Sequence, residues 1–304
     1  MPIYDLSYKH YEGPRTLGHQ WLTIARQTCS LLVKKRISSV TLVFMGFTLV
    51  VFTIGLYTVV AGGYFGGQPI RVGNDGQLQV AIGPVPVPFA EVLFVYVAVL
   101  LWPALLYVLA GGPGAISNDR QSGGLILILA RPLRCRDYIM GKMLGIAGVP
   151  TCLAALVIVV AWLLTWTTCL SFDQAMKALP AVIGSVAYLL VFGVYLGLST
   201  IAFIGAVKNQ RTAIPLLSLY WLAPFFLVGV FAAAHLETLG VLSTPIACLD
   251  GVYLKLFGLT AGHKRPVQLL LAGADLKLWH YLAALAGHLV VLLGLARRVF
   301  VGVR

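Results

Sequence analysis

The sequence predicts an all-α membrane protein with six transmembrane helices, and three observations carry that prediction. First, apolar residues make up 59% of the 304 residues and charged residues only 11%, where a soluble domain carries roughly 25% charge. Mean hydropathy is +0.90. A water-facing globule of this length could not hide so much apolar side chain, but lipid can solvate it on outer helix faces. Second, apolar runs of about 20 residues, the length that crosses about 30 Å of hydrocarbon, occur at 39–61, 90–110, 143–165, 179–206, 212–234 and 279–297. Third, Lys and Arg are unevenly shared between the two sides that this layout creates. Sixteen of the 22 fall with the termini, among them Lys34, Lys35, Arg36, Arg120, Arg131, Arg134, Arg136 and Lys142. Six, namely Arg71, Lys177, Lys255, Lys264, Arg265 and Lys277, fall on the other side. This bias puts both termini in the cytoplasm of a multi-pass cell-membrane protein, a bacterial or archaeal cytoplasmic membrane being the expected setting. It also accounts for the net charge of +12 as topology and attraction to anionic lipid. The basic residues are dispersed and match no nucleic-acid motif, so no nucleic-acid partner is expected.

One transmembrane domain is expected over 1–304, divided into 1–38, a cytoplasmic lead; 39–234, spans 1–5; 235–278, an outer segment; and 279–304, span 6 and a cytoplasmic tail. The lead carries charges throughout and has no short apolar run ending at a cleavage site, so the first span is expected to stay in the mature protein. Within it Leu17, Trp21, Ile24, Thr28 and Leu31 recur at helical spacing. This reads as an amphipathic helix in the headgroup plane, anchored by Trp21; the alternative is a cytoplasmic extension of span 1.

In the first outer loop, Pro69–Val72 and Gln77–Ile82 flank Gly73, Asn74, Asp75 and Gly76, the pattern of a small β-hairpin. Pro84, Pro86 and Pro88 then forbid helix until about Phe89. The loop either docks an outer-side partner or simply returns the chain to the membrane. Span 4 is long enough to tilt or to project from the bilayer. Its Gly193 and Gly197, four apart, allow close helix approach, either within the bundle or at a subunit interface. Pro215 and Pro224 are expected to bend or unwind span 5. Leu239–Leu259 is too polar for a lipid-exposed span and too apolar for a solvated loop, so short helices dipping into the outer leaflet are expected, with another over Val267–Leu278. Trp162, Trp166, Trp279 and Tyr281 fall at the expected outer boundary, where amphipathic rings belong.

Little in the chain points to chemistry. Cys29 and Cys135 are expected on the cytoplasmic side and Cys152 in span 3. Cys169 and Cys248 share the outer side, where a disulfide is open. No Cys or His spacing matches a metal site. His288, inside span 6, reads better as a packed, hydrogen-bonded residue than as a ligand or proton relay. No span carries a charge near its middle, which weakens the reading as an ion-coupled carrier or a channel with a charged filter. No phosphate loop and no hydrolase cluster is present, so no enzymatic activity, catalytic residue, metal or cofactor is assigned to the chain. If it moves cargo uphill, another subunit must supply the energy.

The informative segment runs from Ile116 to Lys142. Asp119 is followed by Gly123-Gly124-Leu125, an apolar stretch to Ala130, Arg131-Pro132, and Gly141-Lys142. This order resembles the cytoplasmic loop of type-2 ABC exporter permeases, the membrane subunits of one group of ATP-binding-cassette exporters. The family usually has Glu where Asp119 stands, and a Gly-Thr-Leu-like turn where this chain has Gly123-Gly124-Leu125. The resemblance implies a coupling helix between spans 2 and 3, with Asn118, Asp119, Arg120, Ser122, Gly123, Gly124 and Leu125 contacting a cytoplasmic ABC ATPase that binds ATP and Mg. It also implies a second permease copy or a related permease, with cargo passing between the two, and export as the direction. In physical terms, Asp119 is expected near the start of a short helix, at its positive end. Leu125, Leu127 and Leu129 require burial. The alternative function is a membrane anchor or scaffold of a larger assembly without transport of its own.

Overall fold

The computed structural model describes residues 20–61, 70–72, 78–82, 85–121, 135–169, 172–207, 209–259, 271, 274 and 276–298. The elements are α1 (Gln20–Val33), α2 (Arg36–Ala61), β1 (Ile70–Val72), β2 (Leu78–Ile82), β3 (Val85–Pro88), α3 (Phe89–Gln121), α4 (Cys135–Cys169), α5 (Phe172–Val207), α6 (Gln210–Ala233), α7 (Glu237–Leu242), α8 (Pro245–Leu256) and α9 (Leu278–Arg297). Among the described residues, five helices are long and apolar enough to cross a membrane: α2, α3, α4, α5 and α9. The protein is a helical membrane protein with several membrane-capable helices. The fifth expected span is present as the 24-residue helix α6, outside those five.

The apolar runs mark helices that are longer than the runs themselves. Span 2, expected to end near 110, continues as helix to Gln121, and span 3, expected from 143, begins at Cys135. α6 runs unbroken past Pro215 and Pro224, so the expected unwinding does not occur. The hairpin is present: Ile70 faces Val80 and Val72 faces Leu78 in an antiparallel pair. A third strand, β3, was not expected. It pairs antiparallel with β2, Val87 opposite Val80. Its prolines confine it to the sheet edge, where their missing N–H groups cost no ladder bond.

α3 and α5 form the centre of the bundle and are mostly buried, whereas α2 and α9 show most of their surface. Outward apolar side chains such as Val43 (72% exposed) and Val290 (69% exposed) would be untenable in water. Glycine sets the closest approaches. A Cβ on Gly193 would lie 2.6 Å from Thr151 Cγ2, and one on Gly197 would lie 2.9 Å from the Met143 carbonyl. The Gly193/Gly197 pair therefore packs within the bundle, α5 against α4. Gly141 and Gly145 form a second pair four apart, not expected from the sequence. It admits α1 onto α4: a Cβ on Gly141 would lie 2.7 Å from the Trp21 carbonyl, and one on Gly145 2.8 Å from that of Ala25.

α1 is a helix separate from α2, broken at Lys34 and Lys35. Ala25, Thr28 and Leu32 face inward, but Leu31, assigned to the same face from spacing, is 46% exposed. The outer segment resolves into α7 and α8. α8 is largely core, packed on α5 and α9, and this explains its composition: its polar groups pair with protein groups. Tyr253 Oη lies 2.9 Å from Ser185 Oγ and donates to the Ala90 carbonyl at 3.2 Å. Tyr281 belongs to this core, pressed against Gly251, and so leaves the boundary belt expected for it. Trp279 is exposed, and the rings of Trp162 and Trp166 pack at a tilt, their centres 5.4 Å apart. His288 is hydrogen-bonded, its Nε2 2.9 Å from the Leu242 carbonyl oxygen. Most of Val267–Leu278 lies outside the described residues.

Cys248 is a free thiol, so no bridge joins it to Cys169. It donates to the Val241 carbonyl at 3.3 Å, and burial pushes its pKa up to about 12. Burial penalises the thiolate, which is the reactive form. A variant retaining only this cysteine should therefore resist maleimide in the folded protein even at pH 9, and label fully in denaturant. Rapid labelling of the folded protein at pH 9 would show that α8 is not packed as described.

Candidate functional site

The helix ends that flank the family-like loop meet in a polar cluster. Asp119 stands in the last turn of α3, two residues before its end at Gln121. The expectation that it opens a short helix is thus corrected: it lies at the negative end of a long one. A carboxylate there is opposed by the last carbonyls of the helix. Two groups from α4 reverse that penalty. Lys142 Nζ sits 2.7 Å from Asp119 Oδ2 and also donates to the Ala115 carbonyl at 3.1 Å. Tyr138 Oη donates to the same Asp119 oxygen at 3.0 Å.

Periodicity explains how four residues from two helices converge. Ala115 and Asp119 are four apart on α3, Tyr138 and Lys142 four apart on α4, and residues at that spacing share a helix face. Lys142 also lies 5.7 Å from the centre of the Tyr138 ring. The ammonium is well removed from water, its side chain 4% exposed against 21% for Asp119. It meets a carboxylate and a backbone carbonyl of α3 together, which is what a buried charge needs. α1 covers the start of α4 through Gly141, next to Lys142.

Of the residues assigned to ATPase coupling, Asn118 and Asp119 are described as part of α3, Asn118 being exposed. Arg120 belongs to the same helix, with its side chain outside the described set. Ser122, Gly123, Gly124 and Leu125 lie outside the described residues, as do Leu127 and Leu129. The sequence reading missed Tyr138, and it took Lys142 only as the re-entry into span 3. No local signal joins Asp119 to Lys142 across the loop; only the packing of α3 on α4 does.

A second polar site joins α8 to α5. Asp250, one of the polar residues that interrupt the apolar stretch Leu239–Leu259, is 1% exposed. It accepts a 2.7 Å hydrogen bond at Oδ1 from Tyr188. An acidic residue within an apolar stretch of a membrane protein was the signal that could have found it. Among the described residues, no group of three or more His, Cys, Asp or Glu is placed to hold a metal.

No model of a protein family matches the chain, and no curated protein matches it. Any functional assignment therefore rests on the residues themselves and on the geometry that joins them.

Proposed function

We propose that the chain is the permease subunit of an ATP-driven transporter resembling the type-2 ABC exporters. It would pair with separate cytoplasmic ATPase subunits and a second permease copy or related permease. The observation that supports this reading best is the Asp119–Lys142–Tyr138 clamp. It ties the end of α3 to the beginning of α4, the two helices between which the family-like loop is strung. A push on that loop reaches both helices together, and through them α5 and α1. In this reading α6 supplies the sixth crossing; its 24 residues extend about 36 Å as a helix. Both termini are then cytoplasmic, α1 rests in the headgroup plane, and α7 and α8 lie on the outer side. The exposed apolar faces of α2 and α9 meet lipid or the second permease.

The test is to purify the tagged chain from its native membrane and ask whether a Walker-motif ATPase comes with it and hydrolyses ATP in the complex. Gly123→Val is expected to abolish that association at normal membrane insertion, because a branched side chain at the loop's glycine turn blocks close approach of a partner backbone. Absence of any such ATPase, or wild-type association and hydrolysis in the Gly123→Val variant, overturns the proposal. A stable assembly that contains no ATPase favours the membrane-anchor reading instead.

A further inference from the structure

Among the described residues, five buried side-chain oxygen and nitrogen atoms have no hydrogen-bond partner, and three of them lie at one junction. They are Thr28 Oγ1 on α1, Ser38 Oγ in the first turn of α2 and Tyr107 Oη on α3, each on a residue 1% exposed or less. We propose that α1 is a strap with two positions, one seated on α3 and α4 as seen here, the other swung away about the break at Lys34 and Lys35.

The seat of α1 fits closely in shape. Thr28 packs on Gly145, where a Cβ would lie 2.6 Å from Thr28 Cβ. Leu32 of α1 and Ser38 of α2 press together on Gly111 of α3, where a Cβ would lie 2.6 Å from Leu32 Cδ2 and 2.6 Å from Ser38 Oγ. Tyr107 stands four residues before Gly111, so it shares that face of α3, and it interacts electrostatically with Cys29 of α1. The seat does not fit in polarity. Elsewhere in the bundle, the buried hydroxyls of Thr151, Ser185 and Thr200 donate to the carbonyl four residues back, at 2.7, 2.8 and 2.8 Å. Tyr138, Tyr188 and Tyr195 each donate to an acceptor on another helix. A hydroxyl buried without a partner has given up its hydration for nothing, so each of the three at the junction penalises the seated position. Water reaching the junction as α1 swings off would remove that penalty. Two further features suit a mobile strap. α1 and α2 are separate helices, so α1 can turn at Lys34 and Lys35 without unwinding α2. The outer faces of α1 expose Leu22, Leu31 and Val33 together with Arg26 and Lys34, a mixture that an anionic lipid surface accepts. The inference is independent of the ATPase reading, because it concerns this chain alone.

The experiment follows amide hydrogen exchange in α1 and α5 by mass spectrometry, with the full chain in lipid nanodiscs. In the wild type α1 should exchange faster than the mostly buried α5, because exchange reports how often each segment opens. Thr28→Val, Ser38→Ala and Tyr107→Phe each delete one unpaired hydroxyl and keep most of the side chain's shape. Each should slow exchange in α1 by about fivefold or more, the effect of relieving one unsatisfied buried group. Exchange in α5 should stay the same, which separates a firmer seat for α1 from a stiffer bundle. Slowing confined to α1 in at least two of the three variants supports the strap. Slowing in fewer, or equal slowing in α5, overturns it, as does wild-type exchange in α1 as slow as in α5. Faster exchange in α1 after hydroxyl removal also overturns it, since the hydroxyls would then be holding α1 down through bonded water. The three substitutions lie on three different helices, so the loss of one variant to misfolding leaves two to decide, and the wild-type comparison needs none.

Discussion

Asp119→Ala, with Lys142 left in place, is expected to destabilise the protein by roughly 3 kcal/mol, the lower end of the range for breaking a buried ion pair. The low end applies because Asp119 keeps some contact with water, its side chain being 21% exposed. The cost comes from what remains. Lys142, 4% exposed, would be left buried without its carboxylate partner, and Tyr138 would lose the hydrogen bond it donates to Asp119. Lys142→Met should cost less, because the carboxylate retains the Tyr138 hydroxyl and its access to solvent. The double variant Asp119→Ala, Lys142→Met should recover most of the loss, since an apolar replacement removes the stranded charge together with its partner. Thermal inactivation half-lives in detergent report the order, because membrane proteins of this kind seldom unfold reversibly. Strictly additive losses in the double variant would show that the two residues are not coupled. If the chain couples to an ATPase as proposed, the double variant should be stable yet transmit ATPase closure poorly, because the Asp119–Lys142 link between α3 and α4 is gone.

The second large effect is expected at Gly145. A Cβ there would meet Thr28 Cβ at 2.6 Å and the Ala25 carbonyl at 2.8 Å, and the carbonyl belongs to helix backbone that cannot rotate away. Gly145→Val should therefore push α1 off α4, at about 1–3 kcal/mol, the usual cost of overpacking. Gly148→Ala on the same helix is the control: its Cβ meets nothing within 4 Å, and alanine favours helix over glycine, so it should cause no loss. Limited trypsinolysis reads the difference through Arg26 and Lys34, both exposed on or just after α1. Gly145→Val should speed cleavage there, while Gly148→Ala should match the wild type. Equal cleavage in all three would mean that the glycine pair does not seat α1.

The helices of the bundle were legible in the sequence because each membrane-capable helix must satisfy its backbone internally and show an apolar surface, and both demands leave a long apolar run. Their ends were not legible. α3 runs to Gln121 and α4 starts at Cys135 because Asp119, Tyr138 and Lys142 support each other across helices, and hydropathy sees only that the run has stopped. The hairpin followed from Gly73-Asn74-Asp75-Gly76, a turn signal contained within a few residues. The added strand β3 did not, because prolines argue against strand everywhere except at an edge, and edge position is a tertiary fact. The same holds for α8. Its Asp250 reads as an interruption in an apolar stretch, and Asp250 and Tyr253 become core residues only because Tyr188, Ser185 and the Ala90 carbonyl arrive from α5 and α3.

By itself, then, the sequence determined the solvent. Its apolar runs require lipid around a helical bundle, since each crossing helix must satisfy its backbone within itself. The tertiary structure decided which residues act together. Asp119 and Lys142, Gly145 and Ala25, Asp250 and Tyr188 are each far apart in the chain. The energy of a buried charge or a close helix contact depends on a partner's position, which no local pattern encodes.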